Sequence, residues 1–338
     1  MKIALGLLMG TTALLSAMPG TLAQELTLSS WLPPRHPIVV NAIIPWSERV
    51  ADVTEGRVTV RVLAKALGAP PAHFDMAADG IADITYGLHS FTTDDRFERS
   101  RIGQFSFIGD DARTASTAFW NVYSGQLDAQ SEHEGVHLLG LFVHGPGVLY
   151  NNKLKIESQD DLAGLKIRVP GGYVSELLGG LGAETLFMSS DEVYEKLSRG
   201  VIDGVAFTYE ALTAFNVIND LSYGMRVPGG LYNTTWFMVM NEGAWEGISE
   251  ADRAAIDAIS GPAFAELVGE AWNGADSNAI AEILASGIEI YDAPADFLAE
   301  IKANAAVFEQ EWADSIAEDG FDGTAALAAL RAETRVEF

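Results

Sequence analysis

Strand-like and helix-like segments alternate along nearly the whole of this chain, and that alternation restricts its fold more than any other feature. "ELTLSSW" and "VTVRVLA" read as strands from their apolar and β-branched content. Between them a helical stretch opens at His36-Pro37 and stops at Gly56; Pro37 suits a first helical turn, and Pro45 predicts a bend. A helix to Gly80 leads to the strand "ADITYGL", and a long helix is predicted over 111–134, before strands at 136–143 and 148–151. Ser158-x-x-Asp161 and Ser189-x-x-Glu192 read as capping boxes opening short helices. "LKIRVPGG", "AETLFM", "VIDGVAF" and "NTTWFMVMN" read as strands, and residues 249–335 as an Ala-rich helical region broken at "GIEIYDAP". The pattern defines an α/β chain with two open sheets and a helical C-terminal third. At 338 residues there is room for two domains of ordinary size.

The first residues bear on compartment. "MKIALGLLMGTTALLSAMPGTLA" has one early Lys, an apolar stretch and a small-residue ending at Thr21-Leu22-Ala23, the pattern of an export signal cleaved after Ala23. Thr, Ser, Gly and Pro interrupt the stretch, which weakens it as a membrane anchor. No later segment reads as a span, so the expectation is a soluble, exported protein. With no Cys, disulfides, thiolate catalysis and Cys-bound metal are excluded. A net charge of −26 repels nucleic acid and anionic lipid, and any anion site must concentrate cations locally.

Enzyme machinery is hard to find. There is no G-x-S-x-G, no P-loop and no G-x-G-x-x-G after a strand. His133-Glu134-x-x-His137 has the spacing of a zinc protease motif, and His144 stands nearby as a potential third ligand. That motif needs both imidazoles on one helix face, but Gly135 is a natural helix stop and "VHLLGLFV" reads as a strand. The expected outcome is a surface His133 and a strand His137, with no cofactor or metal. Asp110-Asp111 and Asp160-Asp161 read as helix-start acids rather than catalytic pairs.

Aromatic and polar residues instead gather at and just beyond strand ends, where α/β sheets bind ligands. They include Tyr150, and the candidate ligand-binding set is Arg168, Phe207, Glu210, Trp31, His89, Phe91, Tyr173, Asn233 and Trp236.

The stretch "DDLAGLKIRVPGGYVSELLGGLGAETLFMSSDEVYEKLSRGVIDGV" carries a family resemblance. A G-L-K-I-R-x-P block, then L-G-A, an S-E-V-Y-type helix start (here Ser-Asp-Glu-Val-Tyr) and G-x-x-D-G follow in order from Gly164 to Gly204. Pro34-x-His36-Pro37, "DGIADI" and "FMVMNEGAWEGISEADRAAI" extend the match to essentially the whole chain after the signal. The chain resembles the solute-binding subunits of tripartite ATP-independent periplasmic (TRAP) transporters, the DctP-like family. The resemblance implies a two-domain Venus-flytrap fold with open mixed sheets, crossing strands and a long connecting helix. On that fold, domain I comprises 24–148 plus about 232–265, and domain II 149–231 plus about 266–338. It further implies a monomeric periplasmic receptor that closes on a small organic acid and docks on small and large membrane subunits. In that family the Arg of the G-L-K-I-R block pairs with the ligand carboxylate, which assigns that role to Arg168.

The departures shape the expected ligand. Where much of the family has D-G-x-E-N-P, this chain has Asp203-Gly204-Val205-Ala206-Phe207, so Phe207 replaces a polar Asn. An aromatic before the S-E-V-Y helix is Ser190 here, and the second Arg of sialic-acid members is absent near Gly147. Arg168 with Phe207, Tyr173, Trp31 and Trp236 then suits a monocarboxylate with an apolar or aromatic body. Glu210 reads as a solvated helix-start acid or, alternatively, as a partner for a ligand hydroxyl or, in a zwitterion, an ammonium. The competing readings are a secreted zinc hydrolase built on His133, Glu134 and His137, or a binding protein serving another transporter or a sensor.

Overall fold

A computed structural model of the chain describes residues 23–92 and 94–335. The signal peptide expected over residues 1–23 therefore lies, apart from Ala23, outside the described residues. Two mixed sheets organise the molecule. The first contains β1 (Gln24–Ser29), β2 (Val58–Val62), β3 (Ile84–Leu88), β4 (Val136–Val143) and β10 (Thr235–Asn241), in the order β2-β1-β3-β10-β4. Strands β1, β2 and β3 run parallel, while β10 is antiparallel to both neighbours. The second contains β5 (Val148–Asn151), β6 (Lys166–Val169), β7 (Glu184–Phe187), β8 (Gly204–Phe207), β9 (Tyr223–Arg226) and β11 (Glu289–Asp292). Its order is β11-β9-β5-β8-β6-β7. Its central strands β5 and β8 are short, wholly buried and mostly apolar; β5 is antiparallel to both neighbours, and β6 pairs parallel with β7 and β8.

The chain crosses between the sheets twice, over residues 144–147 and 227–234. The two crossings lie side by side: the Gly147 amide donates to Tyr232 O at 3.0 Å, and the Leu231 amide to Gly147 O at 3.1 Å. Gly147 has to be glycine here, since a Cβ would stand 2.3 Å from the Tyr232 ring. A third connection is helical. Of the helices, α1 (Ala112–Gln126) packs on β4, α2 (Tyr173–Gly180) on β7, and α3 (Tyr209–Ala214) follows β8. The long α4 (Pro262–Ser286) touches α1 and β4 on one side and α3 on the other, so it belongs to both halves. The last described helix, α5 (Gly323–Thr334), returns to α1.

Local departures from the sequence reading have plain causes. The long helix predicted over 111–134 is two, Ala112–Gln126 and Ala129–Glu132, broken at Asp128 in a left-handed conformation (φ 48°). Ahead of Pro45, which has no N–H to give to the preceding turn, residues Val39–Ile43 form a widened π turn. Ser158 and Asp161 form the reciprocal capping box that the spacing predicts, over one 3₁₀ turn. Ser189 does not: its hydroxyl donates to the carboxylates of Asp191 and Glu192 rather than accepting from the helix backbone.

Candidate functional site

Strands β1, β3, β6 and β8 all aim their carboxyl ends at the space between the sheets, the usual place for a ligand in open α/β sheets. A narrow cavity of about 420 Å³ lies there. Residues from both sheets line it, among them Trp31, His36, Arg168, Phe207, Glu210 and Trp236.

The first-sheet wall is aromatic. Trp31, just beyond β1, stacks on Trp236 of β10 with ring centres 5.5 Å apart and planes 4° apart. Trp236 in turn stacks on Phe142 of β4 at 5.9 Å and meets Trp272 of α4 at 5.3 Å. Each indole N–H is already used: Trp31 donates to Tyr86 O (3.1 Å), Trp236 to Thr234 Oγ1 (3.0 Å) and Trp272 to Glu210 Oε1 (3.1 Å). The wall therefore offers rings and no unspent donors from its indoles.

The second-sheet wall carries the charge. Arg168 sits on β6, 1% exposed, with its guanidinium carbon 4.7 Å over the Phe207 ring. It donates to Met188 O (2.9 Å), Ala206 O (3.3 Å) and Ser190 Oγ (3.2 Å). Among the described residues no carboxylate forms an ion pair with it. Burial without an anionic partner pushes the guanidinium down to about 10, with Tyr232, Asp191 and Glu192 pulling weakly the other way. A buried cation with no counter-ion is costly unless an anion arrives to pair with it.

Between the walls lies a buried polar group. Glu210 opens α3; its carboxylate accepts from the Thr208 hydroxyl and from Trp272. Asp276 of α4 accepts from the Glu210 amide at 3.0 Å, which ties the long helix to the start of α3. Gly145 makes room for it, since a Cβ would stand 2.0 Å from Asp276 Oδ2. Burial raises both carboxyls, and repulsion from Glu210 adds to the large rise at Asp276. His36 and His144 are also buried, which pushes them down to about 3 and about 4, so both are neutral at pH 7. His36 Nδ1 receives the Ile38 amide (3.3 Å), which leaves the ring proton on Nε2. His144 Nδ1 donates to Gly145 O, which leaves its Nε2 bare.

Of the candidate set, Trp31, Arg168, Phe207, Glu210 and Trp236 line the cavity, and the other four stand outside its lining. His89 lies in an aromatic nest with Phe97, Tyr123 and Phe237, 3.0 Å from His133 Nε2. Phe91 backs Trp31 from 5.7 Å. Tyr173 is buried against Phe105, its hydroxyl 2.7 Å from Ser106 Oγ. Asn233 clamps the crossing segments, accepting from the His144 amide (3.0 Å) and donating to His144 O (2.8 Å). Tyr150 is buried under α3 and α4, off the lining. Sequence reasoning missed His144, Tyr232 and Trp272 as lining residues; it noted His36 and Ser190 without placing them there.

The zinc motif resolves into two unrelated histidines. His133 is not on the surface as expected but fully buried, and bonds to His89 and to Ala129 O. His137, on β4, stacks on Trp245 at 3.6 Å and pairs with Asp257 at 3.0 Å. Among the described residues no group of three or more His, Cys, Asp or Glu could hold a metal. Nor is any helix among them long and apolar enough to cross a membrane.

Two mixed sheets joined by paired crossings around a closed cleft make a solute receptor of the two-domain periplasmic class. Residues 28–316 match the family described as bacterial extracellular solute-binding protein, family 7 (DctP), and the chain belongs to that family of TRAP solute receptors rather than to an enzyme family. It is similar to a TRAP periplasmic solute-binding protein from Bordetella bronchiseptica with bound (R)- and (S)-mandelate. That pair shares 38% identity over 92% of this chain and 98% of the other, with a TM-score of 0.89. A TRAP solute-binding protein from Rhodoferax ferrireducens T118, in complex with copurified benzoate, is 29% identical over 92% and 97% of the two chains (TM-score 0.84). The Comamonas testosteroni protein called outer membrane transporter protein TsaT is 33% identical over 96% of each chain.

Proposed function

We propose that this chain captures a small monocarboxylate with an aromatic body in the inter-sheet cavity and hands it to TRAP membrane subunits. The observation that carries this reading is Arg168: a buried guanidinium without a carboxylate partner, set opposite a stack of indoles. A planar guanidinium can give a carboxylate two parallel charge-assisted hydrogen bonds and stays charged in the closed cleft. The flat, closely spaced walls suit a ring better than a sugar acid, and one unpaired cation suits one carboxylate better than two. The mandelate and benzoate held by its structural relatives point the same way.

The rest follows from the receptor reading. The two sheets would be the jaws, with residues 24–148 and about 232–265 forming one and 149–231 with about 266–338 the other. Export with cleavage after Ala23, a monomeric receptor in the periplasm and no engagement of nucleic acid belong to the same proposal, consistent with the net charge of −26. The test is a thermal-shift and calorimetric panel of benzoate, mandelate, succinate and sialic acid on the purified protein. Ligand at about 100 times its Kd adds roughly 2.7 kcal/mol of stability. Stabilisation by the aromatic acids and not by succinate is expected; strong stabilisation by succinate alone would defeat the reading.

A further inference from the structure

We infer that the cavity holds a second subsite, formed by His36 and Glu210, that selects a hydroxyl group on the bound acid. The inference rests on the aromatic-monocarboxylate reading above and narrows it to hydroxylated acids. His36 Nε2 and Glu210 Oε1 both line the cavity, are 3% and 4% exposed as residues, and stand 3.8 Å apart. That separation is too long for a hydrogen bond between them. No described side chain hydrogen-bonds to His36 Nε2 instead: the ring has its one hydrogen bond at Nδ1, from the Ile38 amide.

The bonding at each end fixes what the gap can accept. Because Nδ1 is an acceptor, Nε2 carries the ring proton and is an unspent donor aimed at the carboxylate. Glu210 Oε1 receives Trp272 Nε1 and Oε2 receives Thr208 Oγ1, with the Ala211 and Glu210 amides also against the carboxylate, and Oε1 is the oxygen that faces His36. The subsite thus presents one donor beside one acceptor. A hydroxyl oxygen seated against both receives the His36 proton and gives its own to Glu210. An ammonium meets Glu210 well but turns N–H toward the His36 N–H. A carbonyl satisfies His36 but sets its oxygen against Glu210. A second carboxylate adds like charge beside a buried acid whose repulsion already raises its neighbour Asp276. Only a group that both donates and accepts completes the pair, and a buried unpaired group is the penalty for every other choice.

Matched ligands test this directly, by calorimetric titration of the full protein. Mandelate, phenylacetate, phenylglyoxylate and phenylglycine differ at one carbon, and 3-hydroxybenzoate with benzoate moves the hydroxyl to the ring. In at least one series the hydroxyl acid is expected to bind roughly 10- to 100-fold more tightly than its hydrogen counterpart. In mandelate's series, the keto and ammonium analogues should also bind more weakly than the hydroxyl acid. His36→Phe should reduce the hydroxyl-to-hydrogen affinity ratio by about tenfold or more, a ratio that misfolding does not imitate. Equal binding of hydroxylated and plain acids in both series would overturn the subsite while leaving the aromatic-acid reading in place. Phenylglycine or phenylglyoxylate matching the best hydroxyl acid would overturn its donor–acceptor logic. Failure of all these acids to bind would overturn the parent reading, and the subsite with it.

Discussion

The two walls of the cavity are built on opposite principles. On the first-sheet side, Trp31, Trp236, Phe142 and Trp272 pack on one another and satisfy their own indole N–H groups. On the second-sheet side, Arg168 is buried with three neutral oxygens and no counter-charge. The aromatic wall is complete as it stands, because its rings are also core of the first half. The Arg168 wall carries a buried charge that no described carboxylate pairs with. Shape and fold are thus shared on one side, while on the other the proposed role of the charge is binding, so the same kind of truncation should read out differently on the two walls.

The largest effect is expected at Arg168. Arg168→Ala should weaken binding of the preferred acid by about 30- to 5,000-fold, the usual cost of removing one partner of a buried charge pair. Arg168→Lys should also fail substantially, because an ammonium cannot reproduce the two-pronged contact. The ligand-free Arg168→Ala protein should keep its circular dichroism and melt near wild type; an unfolded variant would dissolve the distinction between the walls. Next comes Trp236→Ala. It should lose roughly 3–5 kcal/mol of stability together with binding, since it opens a hole in a stack that is also core. Loss of affinity at unchanged stability would show that this wall, too, is a binding device only.

Acid separates the walls by a smaller margin. His36 and His144, on the first-sheet side, are held neutral by burial at about 3 and about 4, against 6.5 in the unfolded chain. The buried pair His89 and His133 is pushed down likewise. Their folded values lie below the unfolded ones, so the unfolded chain takes up more protons between about pH 6.5 and 4. Stability is then full above pH 6.5 and falls as the pH drops, by up to roughly 1.4 kcal/mol per unit for each such group. The raised carboxyls of Glu210 and Asp276 act in the opposite sense, since they take up protons in the folded state first. His73 and His137 are lowered too, and Asp110 and Glu132 raised; six histidines against four acids give a net fall in melting temperature from pH 7 to 5, measurable by calorimetry. Arg168 keeps its charge throughout this range, so a melting temperature unchanged or raised at pH 5 would contradict the neutral-histidine wall. The smallest effect belongs to Ser190→Ala. It removes one 3.2 Å contact that orients Arg168 and should cost only a few-fold in affinity.

Much of this was readable in the sequence where a signal is local. The alternation located most strands to within a few residues, Ser158 and Asp161 capped as their spacing requires, and the G-L-K-I-R block led to Arg168. Side-chain direction was less readable. Trp236 and Phe237 are neighbours on one strand, yet period-two alternation sends Trp236 to the cavity and Phe237 into the nest around His89 and His133. His89, Phe91, Tyr173 and Asn233 lie beyond strand ends, in a turn, a helix start and a crossing, where no alternation tells which way a side chain faces. Trp272 was invisible for another reason: it lies on a helix distant in sequence, and nothing near it marks a pocket. Nor could spacing reveal that His36 meets Glu210, since folding alone brings residues so far apart in sequence within 3.8 Å.

The position of β10 between β3 and β4 also sets an order of assembly. A chain emerging from its N-terminus presents β1 to β4 first, but β3 and β4 are joined only through residues 235–241. Until those residues arrive, both strands carry an open edge, the kind of template on which other chains add. By then β5 to β9 have all emerged, so most of the second sheet can close while the first still waits for its middle strand. Such long-range closure makes for slow folding. On the proposed export route, where a polypeptide must stay threadable, a late-arriving keystone in the first sheet would postpone the point at which the leading half can lock.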